Sequence, residues 1–407
     1  MKFGLLGRSL KHSYSPQIHS MLGPYSYELF EVEPEDLPQF MRSGTFSGLN
    51  VTIPYKKDVI PYCDELSETA RILGAVNTIV RRPDGKLVGH NTDCFGFLSM
   101  VHRSGLQLSG KKVLVLGSGG ASATVGAVLD KLGALPVVIS RSGANNYTNL
   151  GLHCDAHAIV NTTPVGMYPN VSASPIDLNQ FPQLAGVLDV IYNPARTALL
   201  FDAEKKGLVT ENGLWMLVAQ AKESAEWFTG TKISDAVIPQ IHETLRQSME
   251  NTILIGMPGC GKSTIGQELA HRLNKEFVDA DAKITELAGM SIPEIFASSG
   301  EEHFRRLETQ ALEELGKQSG LVIATGGGCV TREENYAHLH RNGTIVWLQR
   351  DIDKLPTDGR PLSKSGKLLE MYQIRRPMYE RFADIIVDNN QDIEATLSKL
   401  IPSEEKI

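Results

Sequence analysis

The sequence predicts an α/β fold organised around two glycine-rich turns, and three observations predict it. Residues 251–264, N-T-I-L-I-G-M-P-G-C-G-K-S-T, pass from a β-branched apolar strand through a glycine-rich turn into a helical pattern of Ile265, Leu269 and Leu273. Residues 111–116, K-K-V-L-V-L, are a continuous apolar run, as a buried parallel strand should be. G-S-G-G-A-S follows, then a helix through Leu132 with Gly133 as its stop. Ahead of both, the first hundred residues set short apolar strands beside clusters of Ser, Asn, Thr and Asp. The turn at 256–263 also divides the chain, because such turns normally begin a domain.

A chain of 407 residues has room for two or three domains. Its 42% hydrophobic and 21% charged content are those of an ordinary soluble globular protein. A net charge of -7 argues against nucleic acid or an anionic membrane as the main partner. The basic pairs Arg305-Arg306 and Arg375-Arg376 then read as sites for small anions. No apolar run approaches the ~20 residues of a spanning helix, and M-K-F-G-L-L-G reads as a first strand and not a leader. The five cysteines are odd in number and show no C-x-x-C spacing, which fits a reducing cytoplasm.

After the first strand, Ser13 and Ser15 precede Pro16, which is expected to open a helix. Their hydroxyls read either as helix caps or as anion donors. In G-L-N-V-T-I-P-Y-K-K (48–57) a strand stops at Pro54; alternation puts Asn50 and Thr52 on one face, with Lys56 past its end. G-A-V-N-T-I (74–79) and G-H-N-T-D-C-F-G (89–96) form a hairpin turning at Pro83-Asp84-Gly85. Asn77, Asn91, Thr92 and Asp93 read as polar residues inside these strands, in need of partners.

Taken as a set and in order, S-x-S-P, N-V-T-I-P-Y-K, G-A-V-N-T and N-T-D-x-x-G closely resemble the shikimate dehydrogenase family. The resemblance implies that Ser13 and Ser15 hold the substrate carboxylate and that Thr52, Asn77 and Asp93 bind ring hydroxyls. It makes Lys56 the proton donor and acceptor at the reacting carbonyl. The chemistry agrees: hydride delivered to a ketone leaves an alkoxide, which a positioned ammonium stabilises and protonates. Asp93 would orient Lys56. The resemblance continues through N-T-T-P-V-G-M, D-V-I-Y and G-L-W-M-L-V-A-Q-A, implying substrate contacts at Tyr192 and Gln220 and nicotinamide neighbours at Val190 and Gly213.

The turn Gly117, Ser118, Gly119, Gly120, Ala121 is of the dinucleotide phosphate-binding type, although Ser122 departs from G-x-G-x-x-G. The next strand ends at Ser140-Arg141-Ser142, where an NAD site would place Asp or Glu. Arg141 suits a 2′-phosphate instead, so NADP(H) is expected over NAD(H). The chain from Arg141 to Ala158 is shorter than the family's, leaving a helix of a turn or two.

In the second half, Gly256 to Ser263 fits G-x-x-x-x-G-K-[ST] between strand and helix, the context a P-loop needs. An ATP site is expected at Pro258, Gly259, Cys260, Gly261, Lys262, Ser263 and Thr264, with Lys262 on the β- and γ-phosphates and the Ser263 hydroxyl on Mg2+. In E-F-V-D-A-D (276–281), period 2 puts Asp279 and Asp281 on one strand face. One would support Mg2+ through water and the other would accept a proton. Ser291-Ile-Pro-Glu reads as a helix start with a capping box. Phe304, Leu307, Ala311 and Leu315 form a core stripe, and A-T-G-G-G (324–328) lets backbone approach a ligand. Arg360 lies in a Gly/Ser/Pro-rich segment read as a lid, and Arg375 to Arg381 reads as a basic helix start.

D-x-D, F-R-x-x-E, G-G-G, R-P-L and R-x-P-x-Y appear in the order of the shikimate kinase family, which this half closely resembles from 251 to about 395. The resemblance implies that Asp281 binds ring hydroxyls and is the candidate base. Arg305, Gly327 and Arg375 would bind substrate, Arg360 would be the lid cation, and Ser263 with Asp279 would serve Mg2+. Arg376 competes with Arg375 for its role. Leu355-Pro-Thr departs from the family's Arg-Thr, so the adenine contact is expected elsewhere.

The expected architecture is an interrupted substrate domain, residues 1–103 with helices returning at 214–247, around a Rossmann-like NADP domain at 104–212. A P-loop shikimate kinase domain with a parallel sheet follows at 251–407. The expected activity is NADPH-dependent reduction of 3-dehydroshikimate, then ATP-dependent phosphorylation of shikimate at its 3-hydroxyl, in the cytoplasm. Small molecules are the expected partners, with no nucleic acid or membrane; oligomeric state stays open. Alternatives are a quinate enzyme using NAD, and a nucleotide-sensing second half without turnover. Cys94, Cys260 and Cys329 each adjoin a site residue or motif; they read first as small buried residues, with inhibition of thiol-modified protein by bulk as the alternative.

Overall fold

The computed structural model describes residues 2–10, 13–355 and 365–401. Arg360 therefore lies outside the described residues. The chain separates into two compact units, one of residues 1–192 and 197–244, the other of 193–196 and 245–407.

The first unit contains two sheets. The strand Lys2–Gly7 lies between Ser26–Glu31 and Gly48–Val51, parallel to both. Gly48–Val51 then pairs antiparallel with Thr78–Arg81, which pairs antiparallel with Leu87–His90. The short Glu65–Leu66 closes that edge. The hairpin between Arg81 and Leu87 turns at Gly85 (φ 87°), a conformation that excludes most side chains. The second sheet is wholly parallel, in the order 209–211, 186–189, 158–161, 112–116, 135–139. Burial on both faces explains the apolar run of its strand Lys112–Leu116: Val113, Leu114, Val115 and Leu116 are all fully buried. After Leu135–Ile139 the chain makes only the short helical turn Leu150–His153, as the shortened sequence requires.

Helix Leu214–Thr229 packs on Asp93–Ser104, where Gly96 is needed: a Cβ there would stand 2.7 Å from the Met216 carbonyl oxygen. Buried Lys222 anchors the end of this helix, 2.7 Å from Glu226 and 2.6 Å from Asp235.

The second unit holds one parallel sheet, ordered 276–279, 321–324, 251–255, 343–349, 385–388. Its core gathers Ile253, Leu254, Ile255, Val322, Ile323, Val346, Trp347 and Tyr379. Helix Ile292–Gly316 starts with the expected Ser291–Glu294 capping box and breaks at Gly300 (φ 77°). Phe304, Ala311 and Leu315 are buried, and Leu307 packs against the cluster of Phe304 and Ala311. Among the described residues no helix is long and apolar enough to cross a membrane.

Three local expectations are corrected. Asn77 precedes its strand, Asn91 and Thr92 follow theirs, and Asp93 opens a helix, so none sits inside a strand. Asp281 is not on the 276–279 strand: Asp279 ends that strand as a helix N-cap and Asp281 lies in the first turn. Arg375 and Arg376 lie inside helix Ser365–Phe382, which carries Pro377 in its interior, and do not begin one.

Candidate active sites

In the first unit, the ends of three elements bring the polar residues together. Lys56 follows the turn after Gly48–Val51, and its Nζ lies 2.6 Å from Asp93 Oδ2. Asn77 Nδ2 donates to the other carboxylate oxygen, Oδ1, at 2.9 Å. Asn77 is itself fixed, since its Oδ1 accepts the Thr92 N–H at 2.7 Å. Gln220 Oε1, from helix Leu214–Thr229, stands 3.4 Å from Asn77 Nδ2 and from Thr92 Oγ1. Lys56, Asp93, Asn77 and Gln220 thus form one cluster. Thr52 lies just past its strand, its N–H bonded to the Leu6 carbonyl oxygen at 2.9 Å.

Neither Ser13 nor Ser15 holds the N-cap position of the helix that follows. Tyr14 holds the N-cap position of helix Ser15–Leu22 without a side-chain bond, while Ser13 Oγ accepts the Ser15 N–H at 3.2 Å. That leaves the Ser15 hydroxyl for other partners, and Tyr27 is one of them. Tyr192 packs edge-on against Tyr14, with ring centroids 6.1 Å apart.

The glycine turn at 117–121 leads into helix Gly120–Lys131. Gly117 (φ 107°) takes a conformation suited to glycine, and a Cβ there would press on Thr162 and Thr163 at 3.0 Å. Gly119 and Gly120 face open space, with no atom within 4 Å of a Cβ at either. No side chain caps this helix, so its first N–H groups point at that space. Such a cradle fits a pyrophosphate. Ser118 and Arg141 are exposed and Ala121 half-buried. Gly213 abuts Val190, and its N–H bonds to the Ile191 carbonyl oxygen at 2.9 Å.

In the second unit, buried Lys262 turns back onto its own loop, donating to the Gly256 and Met257 carbonyl oxygens at 2.9 and 3.0 Å. Gly259 (φ 84°) and Gly261 (φ 99°) supply the left-handed turns that aim loop N–H groups inward. Pro258 is half-buried against Gly327, Cys260 is buried, and Thr264 is exposed on the first helical turn. Ser263 Oγ donates to Asp279 Oδ2 at 2.8 Å, and Asp279 Oδ1 accepts the Asp281 N–H at 3.0 Å. A hydroxyl beside a carboxylate is the hard-oxygen donor set that Mg2+ prefers.

Each glycine of 326–328 makes room for a different neighbour. A Cβ on Gly326 would meet Glu308 Oε1 at 2.6 Å and Asp281 Oδ1 at 3.3 Å; one on Gly327 would meet Pro258 at 2.6 Å; one on Gly328 would strike the Arg305 guanidinium. Arg305 is buried and pairs with buried Glu308 at 2.7 Å. Burial pushes the Glu308 carboxyl upward, and the Arg305 charge opposes it. Arg375 Nη1 donates to the Gly327 carbonyl oxygen at 3.1 Å, whereas Arg376 points to the exposed side and pairs with Glu380 at 2.9 Å. Asp281, Arg305, Gly327 and Arg375 therefore share one neighbourhood, and Arg376 does not join it.

Two family models match the chain. Residues 5–79 match the shikimate dehydrogenase substrate binding domain, and residues 258–403 match shikimate kinase. A relative from Caldicellulosiruptor bescii, described as shikimate dehydrogenase (NADP(+)), is 38% identical over 272 residues, which span 59% of this chain and 93% of the relative. The chain belongs to the shikimate dehydrogenase family, with a shikimate kinase domain behind it. Among solved structures, shikimate 5-dehydrogenase from Thermus thermophilus in complex with NADP(H) and shikimate is 31% identical (TM-score 0.55), covering 60% of this chain and 99% of that one. Quinate dehydrogenase from Corynebacterium glutamicum in complex with NAD is 28% identical (TM-score 0.55), covering 60% and 98%. A dehydrogenase fused to a kinase of the same pathway is a bifunctional shikimate-pathway enzyme.

The contacts of several residues in the shikimate dehydrogenase unit escaped the sequence reading, which names Asn50 only as sharing a strand face with Thr52. Tyr27 Oη donates to Asn50 Oδ1 at 2.7 Å, and Asn50 Nδ2 reaches Thr78 Oγ1 at 3.2 Å. Thr78 in turn bonds Asn77 Oδ1 at 3.1 Å. This buried chain ties the Ser15 end of the site to the Asp93 end. Buried His19 stacks on Tyr27 at 3.9 Å, and burial depresses it to about 3, so it stays neutral. Asp189 of D-V-I-Y is fully buried and holds the strand ends: it accepts from Asn161 at 3.1 Å and Thr197 at 2.7 Å, and burial raises it to about 7. In the kinase domain Glu308 is the acidic residue of F-R-x-x-E, and the structure pairs it, buried, with the Arg305 guanidinium at 2.7 Å.

Of the two thiol readings, that of small buried residues holds for Cys260 and Cys329, while Cys94 is half-buried. Cys260 and Cys329 are fully buried, and burial pushes Cys329 up to about 12 and Cys94 up to about 11. Cys94 and Cys329 are therefore held as thiols near neutral pH, and Cys260 is closed off by burial.

Proposed function

We propose that the first unit reduces 3-dehydroshikimate to shikimate with NADPH and that the second phosphorylates the shikimate 3-hydroxyl from ATP. The observation that carries this reading is the presence, within one chain, of the Lys56–Asp93–Asn77 cluster and of a phosphate loop whose Ser263 pairs with Asp279. Ser13 and Ser15 hold the substrate carboxylate, and Thr52, Asn77, Asp93, Tyr192 and Gln220 orient the ring. Gly117 to Ala121, Arg141, Val190 and Gly213 would hold NADPH, which when bound would supply the hydride, with Arg141 as the partner for a 2′-phosphate. Lys56 then places its ammonium against the oxygen that gains charge and gives it a proton. Asp93 keeps Lys56 aimed.

In the kinase domain Mg2+, held by Ser263 and through water by Asp279, would neutralise phosphate charge. The loop from Pro258 to Thr264 cradles the phosphates, and Arg305, Gly327 and Arg375 seat shikimate by its carboxylate. Asp281 takes the proton of the attacking hydroxyl. We place the enzyme in the cytoplasm, on the support of five unpaired cysteines.

Arg141 and the NADP(+) named for the Caldicellulosiruptor bescii relative weigh against the quinate and NAD alternative. Arg141→Ala is expected to raise KM for NADPH by ~10- to 100-fold, the loss of a charge-assisted phosphate contact. KM for NADH should barely move, and equal effects on both would remove Arg141 from the 2′-phosphate. The intact Lys262 and Asp281 weigh against a kinase domain without turnover. A one-pot assay with 3-dehydroshikimate, NADPH, ATP and Mg2+ tests the whole reading. NADPH loss followed by ADP release is expected, with ADP release requiring prior NADPH oxidation or added shikimate. NADPH loss without ADP release, even with added shikimate, would sink the kinase half.

A further inference from the structure

The buried polar chain of the dehydrogenase unit has a single polarity, set by which groups can donate. The Thr92 N–H can only donate, so the Asn77 atom 2.7 Å from it is Oδ1. Asn77 therefore turns Nδ2 to the Asp93 carboxylate, which is paired with Lys56 and can only accept, at 2.9 Å. The Thr78 hydroxyl donates to Asn77 Oδ1 at 3.1 Å, which leaves its oxygen to accept Asn50 Nδ2 at 3.2 Å. Asn50 then presents Oδ1 to Tyr27, whose hydroxyl donates at 2.7 Å. Every donor in the chain points toward Asp93, and Tyr27 is the first of them.

This arrangement has little freedom to change. Asn50, Asn77, Thr78 and Thr92 are all buried, where water does not replace a lost partner. Asn50 and Thr78 stand opposite each other in paired strands. Tyr27 reaches Asn50 across strand Lys2–Gly7, which lies between their two strands. The Tyr27 ring is held for that reach: His19 stacks on it at 3.9 Å, and His19 Nδ1 lies 2.8 Å from the Tyr25 hydroxyl. Burial raises the Tyr27 hydroxyl well above its ordinary range, which keeps it a donor. Tyr27 belongs to none of the motifs that carry the family resemblance.

We propose that Tyr27 is a positioning residue for the reduction: it fixes the Asn50 and Asn77 amides, and through them the direction in which Asp93 holds the Lys56 ammonium. The inference rests on the dehydrogenase reading above. Tyr27 acts through Asn50 and, among the described residues, makes no hydrogen bond to Lys56 or Asp93. Without its hydroxyl, Asn50 Oδ1 loses its donor and the amide is free to turn over. Thr78 and Asn77 then lose, one after the other, the partner that orders them. Lys56 keeps its charge but not its aim, and a displacement of ~1 Å at a reacting group costs up to ~100-fold. Turnover is therefore what Tyr27 controls, and cofactor binding is not.

Steady-state reduction of 3-dehydroshikimate by the full-length protein tests this, with Tyr27→Phe, Thr78→Val and the double variant. Tyr27→Phe keeps the ring that stacks on His19 and removes the hydroxyl alone. Its kcat is expected to fall roughly 5- to 30-fold, the loss of one buried hydrogen bond, with KM for 3-dehydroshikimate within about 3-fold of wild type. Thr78→Val cuts the chain nearer to Asp93 and should cost more. The double variant should be as slow as Thr78→Val alone, because Tyr27 acts through Thr78. KM for NADPH should stay at the wild-type value in all three, which shows that the unit is folded. An unchanged kcat in Tyr27→Phe would overturn the proposal. A loss confined to KM for 3-dehydroshikimate would also overturn it, by placing Tyr27 with Ser15 at the substrate carboxylate. Losses that multiply in the double variant, or a matching rise in KM for NADPH, would overturn it as well. Wild-type protein that does not reduce 3-dehydroshikimate would sink the dehydrogenase reading itself, an outcome distinct from the others.

Discussion

Lys56→Ala is expected to lower dehydrogenase turnover by ~10^2- to 10^4-fold, the usual contribution of a positioned proton donor, while shikimate-dependent ADP release stays unchanged. The size follows from what the Lys56 ammonium alone would do in the proposed reaction. Asn77 and Gln220 can bind an oxygen, but an amide has no proton to give near neutral pH. The Asp93 carboxylate carries the wrong charge to stabilise an alkoxide. Removing Lys56 also leaves Asp93 facing the site with, among the described residues, Asn77 Nδ2 as its side-chain partner at 2.9 Å. Turnover should therefore fall more than substrate affinity. Steady-state rates of NADPH oxidation and ADP release on the same preparation check it. Equal loss of both activities would mean general misfolding, and a dehydrogenase within a few-fold of wild type would remove Lys56 from the chemistry.

The P-loop, the parallel strand at 111–116 and the capping box at Ser291 are legible in the sequence because each is local. Glycine, a continuous apolar run and a short polar pattern fix backbone geometry over a few residues. The corrected elements are those where two local readings share one pattern. Asp279 and Asp281 are two apart, which fits one strand face and equally an N-cap followed by a first helical turn. The helical stripe that follows, Ile284 and Leu287, is the signal that separates them. Pro377 reads as a first-turn proline, its commonest helical place, yet it lies inside a helix that has already begun at Ser365. Tyr27, Asn50 and Thr78 are not legible as a unit, since they come from three strands whose pairing no local pattern states. The glycines of 326–328 announce a close approach but not what approaches. That Glu308, Pro258 and Arg305 do so, one at each glycine, depends on a helix and a loop 18 residues or more away in sequence.

The corrected position of Asp281 sharpens the other large effect. Asp279 is occupied twice, taking the Ser263 hydroxyl on one oxygen and the Asp281 N–H on the other. Asp281 stands exposed one helical step further on, with Oδ1 near Gly326. The two carboxylates therefore differ in kind. Asp279 holds the helix start and the metal-side hydroxyl, while Asp281 faces the place where Arg305 and Arg375 would seat the substrate. Asp281→Asn keeps the shape and removes the basic oxygen. Kinase turnover is expected to fall by ~10^2- to 10^4-fold with little change in dehydrogenase rate, and added Mg2+ should not restore it. Asp279→Asn should instead raise the Mg2+ concentration needed for half-maximal rate, with activity recovering as Mg2+ increases. The check is ADP release against Mg2+ at saturating shikimate for both variants. Recovery of Asp281→Asn by Mg2+ would exchange the two roles, and undiminished turnover would place the base elsewhere.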